Sequence, residues 1–151
     1  MFRKCDVSNW NDVLQLFQST WKTFGVIHSV LSNAGVNSHD NFLEDEFSHD
    51  DGAEGGEGGM ILQPPDLTSI NINLIGQIYV VKCALHYFKK WPETKCQIVM
   101  TASAGAFFPA PPIHYYCAAK AGVLSFMRSL RYEVVKKNAT INVVAPWLTG
   151  K

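Results

Sequence analysis

Two long runs with the apolar period of a helix, each followed by a short β-type run, restrict the fold of this chain more than any other feature. The first run extends from Leu67 to about Lys90, with Ile70, Leu74, Ile78, Val81, Leu85 and Phe88 as its stripe. Asp66 is its expected cap, and Pro92 stands just beyond its end. The second runs from about His114 to Lys137. The short runs behind them are Gln97 to Ala102 and Thr140 to Ala145, the latter closed by Pro146-Trp147. The same alternation is present upstream. Phe2 to Val7 reads as the tail of a strand, and Ser8 as the cap of a helix to about Phe24, with Trp10, Val13, Leu14, Phe17, Trp21 and Phe24 on one face. Gly25 ends that helix, and Val26 to Leu31 reads as a parallel strand buried on both faces. Strands separated by helical connections predict an α/β fold with a parallel sheet and right-handed crossovers.

Residues from about 37 to 65 break the alternation: they are polar, acidic and glycine-rich, and read as a flexible surface insertion. Within them GAEGGEGG follows no strand and carries Glu54 and Glu57, which would repel phosphate, so it is not a phosphate-binding turn. The whole chain, 151 residues with 47% hydrophobic content, suits one domain with a sizeable core. Thirteen basic and thirteen acidic side chains leave no electrostatic footprint for nucleic acid or an anionic membrane. Cys5, Cys83, Cys96 and Cys117 form no CxxC pair and fall in or beside apolar runs, which points to reduced buried thiols, no metal and a cytoplasmic setting. The N-terminal residues lack the apolar core of a signal peptide, and no run of eighteen apolar residues occurs.

The chemistry is concentrated in Thr101 to Lys120, TASAGAFFPAPPIHYYCAAK. Ser103 stands thirteen positions before Tyr116, and Lys120 four after it, so on a helix the phenol and the ammonium share one face. A phenol titrates near pH ~10 in water, and a neighbouring cation favours its phenolate, which suits Tyr116 to acid/base work. An isolated YxxxK arises by chance on many helices; here it follows a strand and a Gly/Pro-rich turn and opens a helix of small residues, CAAKAG, suited to close packing on a sheet. Asn33-Ala34-Gly35 lies after another strand, at the sheet end where α/β folds bind ligands. Phe107, Phe108, His114 and Trp147 are candidates for an apolar pocket beside that end.

CDVS at residues 5–8, NAG at 33–35, NxxG from Asn73 to Gly76, the serine thirteen before YxxxK and a last strand ending in Pro146 occur in that order. Together they resemble the short-chain dehydrogenase/reductase family over nearly the whole chain. The runs FLEDE, DLTSININLIGQIY, ALHYF and APW are also similar to fungal members described as 15-hydroxyprostaglandin dehydrogenase-like. The resemblance implies a Rossmann-like doubly wound sheet and an enzyme that uses NAD or NADP to interconvert a small-molecule alcohol and a ketone or aldehyde. It assigns Tyr116 as the catalytic acid/base, Lys120 as the group that lowers its pKa and contacts the nicotinamide ribose, and Ser103 as the partner of the reacting oxygen. Asn73 would hold, through its backbone carbonyl, a water linking Lys120 to solvent. Asn33, Ala34 and Gly35 would line the cofactor cleft, Asp6 and Val7 would meet the adenine, and Pro146 and Trp147 would border the nicotinamide. Tyr115 is excluded as the acid, because Ala119 stands four residues after it. The helices bearing Asn73 and Tyr116 would form a four-helix interface in a homo-oligomer.

The departures from the family carry equal weight. No TGxxxGxG turn is present, so the first βαβ unit, with the residue that selects NAD or NADP, is missing, as is the C-terminal strand. Trp147 replaces the usual glycine after the proline. A partial doubly wound sheet of this kind leaves Val26 to Leu31 at an edge, and an exposed apolar edge predicts poor solubility or partial disorder and weak cofactor binding. The alternative to an enzyme is a catalytically inactive truncated remnant that keeps only interaction surfaces. A nucleotide-binding methyltransferase of similar architecture leaves the Ser103, Tyr116 and Lys120 spacing unexplained.

Overall fold

The computed structural model describes residues 1–37, 39–40, 42–49 and 60–147. Its first helix, α1 (Trp10–Phe24), is capped by Asn9, whose side-chain oxygen accepts the Asn11 and Asp12 N–H groups at 2.9 and 3.3 Å. Ser8, the expected cap, is instead bound through its N–H and hydroxyl to the Asp6 carboxylate at 2.9 and 2.7 Å, which moves the helix start one residue on. Gly25 ends α1 in the left-handed region at φ 73°, donating to the Trp21 carbonyl. The expected strand tail at Phe2 to Val7 forms no ladder.

Strands β1 (Ser29–Ser32), β4 (Cys96–Thr101) and β5 (Ala139–Val144) form a parallel sheet in the order β1-β4-β5. Ser29 lies opposite Gln97, and Cys96 opposite Ala139. The α/β class with parallel strands is therefore as expected, and the strand limits differ from the predicted ones by a few residues at most. β4 is central and buries Cys96, Ile98 and Met100. Among the described residues β1 is an edge of this sheet, as expected, and Leu31 is 74% exposed, so the strand is not covered on both faces. Part of the stretch read as a loop forms a short antiparallel ribbon, β2 (Phe47–His49) with β3 (Met60–Leu62). Three-residue strands are too short to show a period. The GAEGGEGG segment lies outside the described residues.

Between β1 and β4 runs one long helix in three parts: α2 (Thr68–Ile70), a π-helical turn (Asn71–Ile75) and α3 (Gly76–Phe88). Asp66 starts it by accepting the Thr68 N–H and hydroxyl at 2.8 and 2.6 Å. Its buried face follows the predicted stripe at Val81 and Phe88 and departs from it earlier in the helix. Ser69, Asn73, Gly76, Gln77, Val80, Ala84 and Tyr87 are buried, while Ile70, Leu74, Ile78 and Leu85 are half-buried. The inward face is apolar only in its later turns; in its first turns it carries polar groups that find partners elsewhere in the chain. The last helix, α4 (His114–Val135), joins β4 to β5.

The core is continuous through Val13 and Phe17 of α1, Val81 and Phe88 of α3, Ile98 and Met100 of β4, Val123 and Met127 of α4 and Ile141 of β5. Each fully buried side chain of this kind contributes about 1.5–3 kcal/mol of transfer free energy. Tyr87 stacks on Phe17 at 5.9 Å and meets Trp21 at 5.4 Å, which fastens α1 to α3. Cys83 and Cys96 are buried as expected, whereas Cys5 and Cys117 are half-buried.

Candidate active site

The site is built where β1, β4 and β5 end. Beyond β4 the Ala102 and Ala104 N–H groups donate to the Val144 and Pro146 carbonyls at 2.8 and 2.9 Å, holding Ser103 beside the exit of β5. Ser103 is extended and starts a single 3-10 turn (Ala104–Ala106), its Oγ accepting the Gly105 N–H at 3.2 Å. On the other side the Thr101 hydroxyl donates to Asn33 Oδ1 at 2.8 Å, so the NAG turn after β1 is tied to the end of β4.

Asn73 is the central strut. It is 0% exposed and sits in the π turn. Its Nδ2 donates to the Val36 carbonyl at 2.7 Å and to the Ser69 carbonyl and hydroxyl at 2.9 and 3.1 Å, and its Oδ1 accepts the Val36 N–H at 3.2 Å. The turn after β1 thus lies directly on the long helix. Gly35 makes that approach feasible: a Cβ there would stand 2.6 Å from Asn73 Oδ1 and 3.4 Å from Lys120 Nζ. Because Asn73 is fixed by four hydrogen bonds it cannot give way cheaply. Gly35→Ala is therefore expected to cost roughly 1–3 kcal/mol, measured as a lowered Tm; an unchanged melt would show that the loop rests on the helix less tightly than this.

Lys120 projects from α4 into the same place. Its Nζ donates to the Thr101 carbonyl at 2.8 Å and lies 5.5 Å from the centroid of the Tyr116 ring. The side chain is nearly enclosed, and burial pushes the ammonium's pKa below the ordinary lysine value. The Thr101 carbonyl has a second donor, Gln77 Nε2 at 2.9 Å. Small residues of α4 allow the close approach that its sequence suggested, but against the π turn as well as the sheet: a Cβ on Gly122 would stand 2.9 Å from Leu74.

Tyr116, half-buried in the first turn of α4, faces this group. A Cβ added to Gly105 would stand 3.2 Å from Cys117 Sγ, 3.6 Å from Ser103 Oγ and 3.7 Å from Tyr116 Cε1, so this glycine lets the serine and the phenol ring pack close together. Tyr115 is turned elsewhere. It packs edge-on against Phe42 at 5.8 Å and lines a separate cavity with Glu44, Glu46 and Asp66. Burial, then the charges of Asp40, Asp66 and Glu46, push its phenol pKa up, the wrong direction for an acid/base near neutrality.

A cavity of about 250 Å³ is lined by Asn33, Gly35, Asn73, Ser103, Tyr116, Lys120, Pro146 and Trp147. Eight residues singled out from the sequence thus meet at one place. Ala34 and Val7 line a neighbouring cavity of about 370 Å³ along the exposed edge of β1, which Asn33 shares. Asp6 lines neither, its carboxylate being engaged with Ser8. On the far side of Ser103 and Tyr116 a third cavity, about 470 Å³, is walled by Phe108, Pro109, Ile113 and Trp147, with Phe108 edge-on to Trp147 at 5.7 Å. Phe107 and His114, grouped with these two aromatic residues on sequence grounds, do not line it. Three contributors escaped the sequence reading: Val36, Gln77 and the Thr101 carbonyl. Gln77 alone left a local trace, standing one helical turn after Asn73.

The chain matches the family model described as short chain dehydrogenase over residues 1–150. It is 31% identical over 148 residues to the short-chain dehydrogenase/reductase ATR7 of Stachybotrys chlorohalonatus, covering 98% of this chain and 42% of that protein. It is 32% identical over 150 residues to the short-chain dehydrogenase/reductase prx7 of Penicillium rubens, covering 96% and 50%. Among solved structures, a short chain dehydrogenase from Mycobacterium smegmatis superimposes with a TM-score of 0.78 at 23% identity, over 97% of this chain and 54% of that one. The chain belongs to the short-chain dehydrogenase family. It spans about half the length of the curated relatives it matches.

Proposed function

We propose that this chain carries the reaction centre of an NAD- or NADP-dependent oxidoreductase that interconverts an alcohol and a ketone or aldehyde. The observation that carries the reading is the convergence of Ser103, Tyr116, Lys120 and Asn73 on one cavity at the carboxyl ends of parallel strands. In the reducing direction Tyr116 gives its phenolic proton to the carbonyl oxygen, and in the oxidising direction its phenolate takes the hydroxyl proton. Ser103 donates a hydrogen bond to the same oxygen and orients it. The Lys120 ammonium, 5.5 Å from the phenol ring centroid, stabilises the charge left on Tyr116 when the proton departs. The π turn interrupts the regular helical ladder around Asn73, Gly76 N–H reaching back to the Asn71 carbonyl, which supports a water held there to relay protons to Lys120.

The donor set fits the nicotinamide end of such a cofactor. Lys120 and Tyr116 carry donors suited to ribose hydroxyls, Asn33 and Gly35 offer a polar wall, and Pro146 and Trp147 offer apolar surface for a ring. When bound, the cofactor supplies or accepts the hydride at the substrate carbon. Asp6 and Val7 are the residues proposed toward its adenine end, and Ala34 is proposed as part of the cleft wall. The cavity walled by Phe108, Ile113 and Trp147 supports an apolar substituent on the substrate.

Titrating NADH and NADPH into the protein, followed by nicotinamide fluorescence, tests the reading. Saturable binding weaker than micromolar is expected, because β1 is an edge strand on which Ser29 and Leu31 are exposed. Tighter binding would overturn the expected weakness, and no saturable binding of either nucleotide would favour the non-catalytic alternative.

A further inference from the structure

The start of α4 poses a problem that residue 113 does not solve. Ile113 stands at the cap position and has no side-chain acceptor to offer the first free N–H groups of the helix. The acceptor comes from the other side of the site. Asp40 Oδ2 accepts the Tyr115 N–H at 2.9 Å, Asp40 Oδ1 meets His114 Nδ1 at 2.5 Å, and the Asp40 N–H donates to the Pro112 carbonyl at 2.9 Å. These three contacts fall on the residues immediately preceding Tyr116. The Asp40 side chain is only 7% exposed. Burial alone would push its carboxyl up, but the bonds from His114 and the Tyr115 N–H outweigh this and hold its pKa below the usual carboxylate range.

The segment holding Asp40 is anchored at its other end too. Val36 is bonded in both directions to Asn73, so a few residues connect the π turn to the first turn of α4. The other ionisable groups facing the cavity beside Asp40 are His39, Glu44, Asp45, Glu46, Asp66 and Tyr115. Among the described residues, the side-chain bonds to the first turn of α4 come from Asp40 and from none of these other carboxylates.

We propose that Asp40 is a positioning residue for Tyr116: by capping α4 from across the site, it sets the first turn of the helix so that the phenol faces Ser103 and Lys120. A negative charge at a helix N-terminus also interacts favourably with the helix dipole, which reinforces the cap. The kinetic part of this inference rests on the oxidoreductase reading; the structural part does not.

Two variants test it. In Asp40→Ala the amide hydrogens of Tyr115 and Tyr116 are expected to exchange roughly 5–30-fold faster, the equivalent of a lost cap, with the β4 amides unchanged. Asp40→Asn keeps a side-chain oxygen for the Tyr115 N–H and is expected to recover most of the protection. In protein that turns over, Asp40→Ala lowers kcat by roughly 10–100-fold, the effect of a misplaced catalytic group, with cofactor KM within about twofold, and Asp40→Asn restores most of kcat. Unchanged exchange at Tyr115 in Asp40→Ala overturns the proposal, and so does faster exchange with kcat unaltered. Absence of turnover in the parent protein counts against the oxidoreductase reading instead, and the exchange rates alone then decide for or against Asp40.

Discussion

Replacing Tyr116 with phenylalanine is expected to lower kcat by roughly 10²–10⁴-fold, the usual contribution of a positioned acid/base, while NADH and NADPH bind as before. The ring is kept, so its contact with Lys120 and its packing in the first turn of α4 survive, and only the proton donor is removed. Stability should change by less than about 0.5 kcal/mol, as at other sites where no buried contact is lost. In the proposed role the phenol acts on the reacting oxygen in the transition state, so kcat and kcat/KM should fall together. The measurement is a steady-state rate with a carbonyl substrate on which the parent shows turnover, beside a cofactor titration of the same variant. Activity above a tenth of the parent would remove Tyr116 from the role given to it here. Tyr115→Phe is the matched control. That side chain lies in another cavity, against Phe42, and its hydroxyl should be dispensable for turnover.

The parts of this site that were legible in the sequence are those fixed by local geometry. Tyr116 and Lys120 share a face because a helix repeats near four residues, and Ser103 follows a strand whose apolar run was plain. The strand and helix alternation was readable for the same reason. What escaped was decided by partners far along the chain. The long helix was expected to turn Ile70, Leu74 and Ile78 inward, yet it buries Asn73 and Gln77, because Val36 and the Thr101 carbonyl await those amides. Apolar periodicity cannot register buried amide donors whose acceptors lie elsewhere in the chain. At the first helix Ser8 was the expected cap, but the Asp6 carboxylate binds it and Asn9 caps the helix instead. Asp40 caps α4 across 75 positions, beyond any local pattern. The resemblance to a family supplied the order of motifs, while the contacts that hold them together came from the structure.

Lys120→Met should separate the lysine's two effects, since it is expected to abolish most turnover and yet stabilise the fold. The lysine is nearly enclosed, and its pKa is lowered by burial, so the folded state resists the charge that the unfolded chain carries freely. Methionine fills a similar volume without that charge. The substitution orphans no acceptor, because the Thr101 carbonyl keeps Gln77 Nε2 at 2.9 Å. A gain of about 1–3 kcal/mol at neutral pH is expected, or roughly 2–12 °C in Tm. The pH dependence identifies the cause. A lysine whose folded pKa lies below 10.5 leaves the unfolded state holding more protons between the two values, so parent stability rises with pH through that window. The advantage of the variant is therefore full below the folded pKa and shrinks as the pH climbs toward 10.5. A lowered Tm at neutral pH would mean that the bond to Thr101 outweighs the cost of burial. A raised Tm with turnover lost would show that the protein retains a destabilising charge at the position where the chemistry requires one.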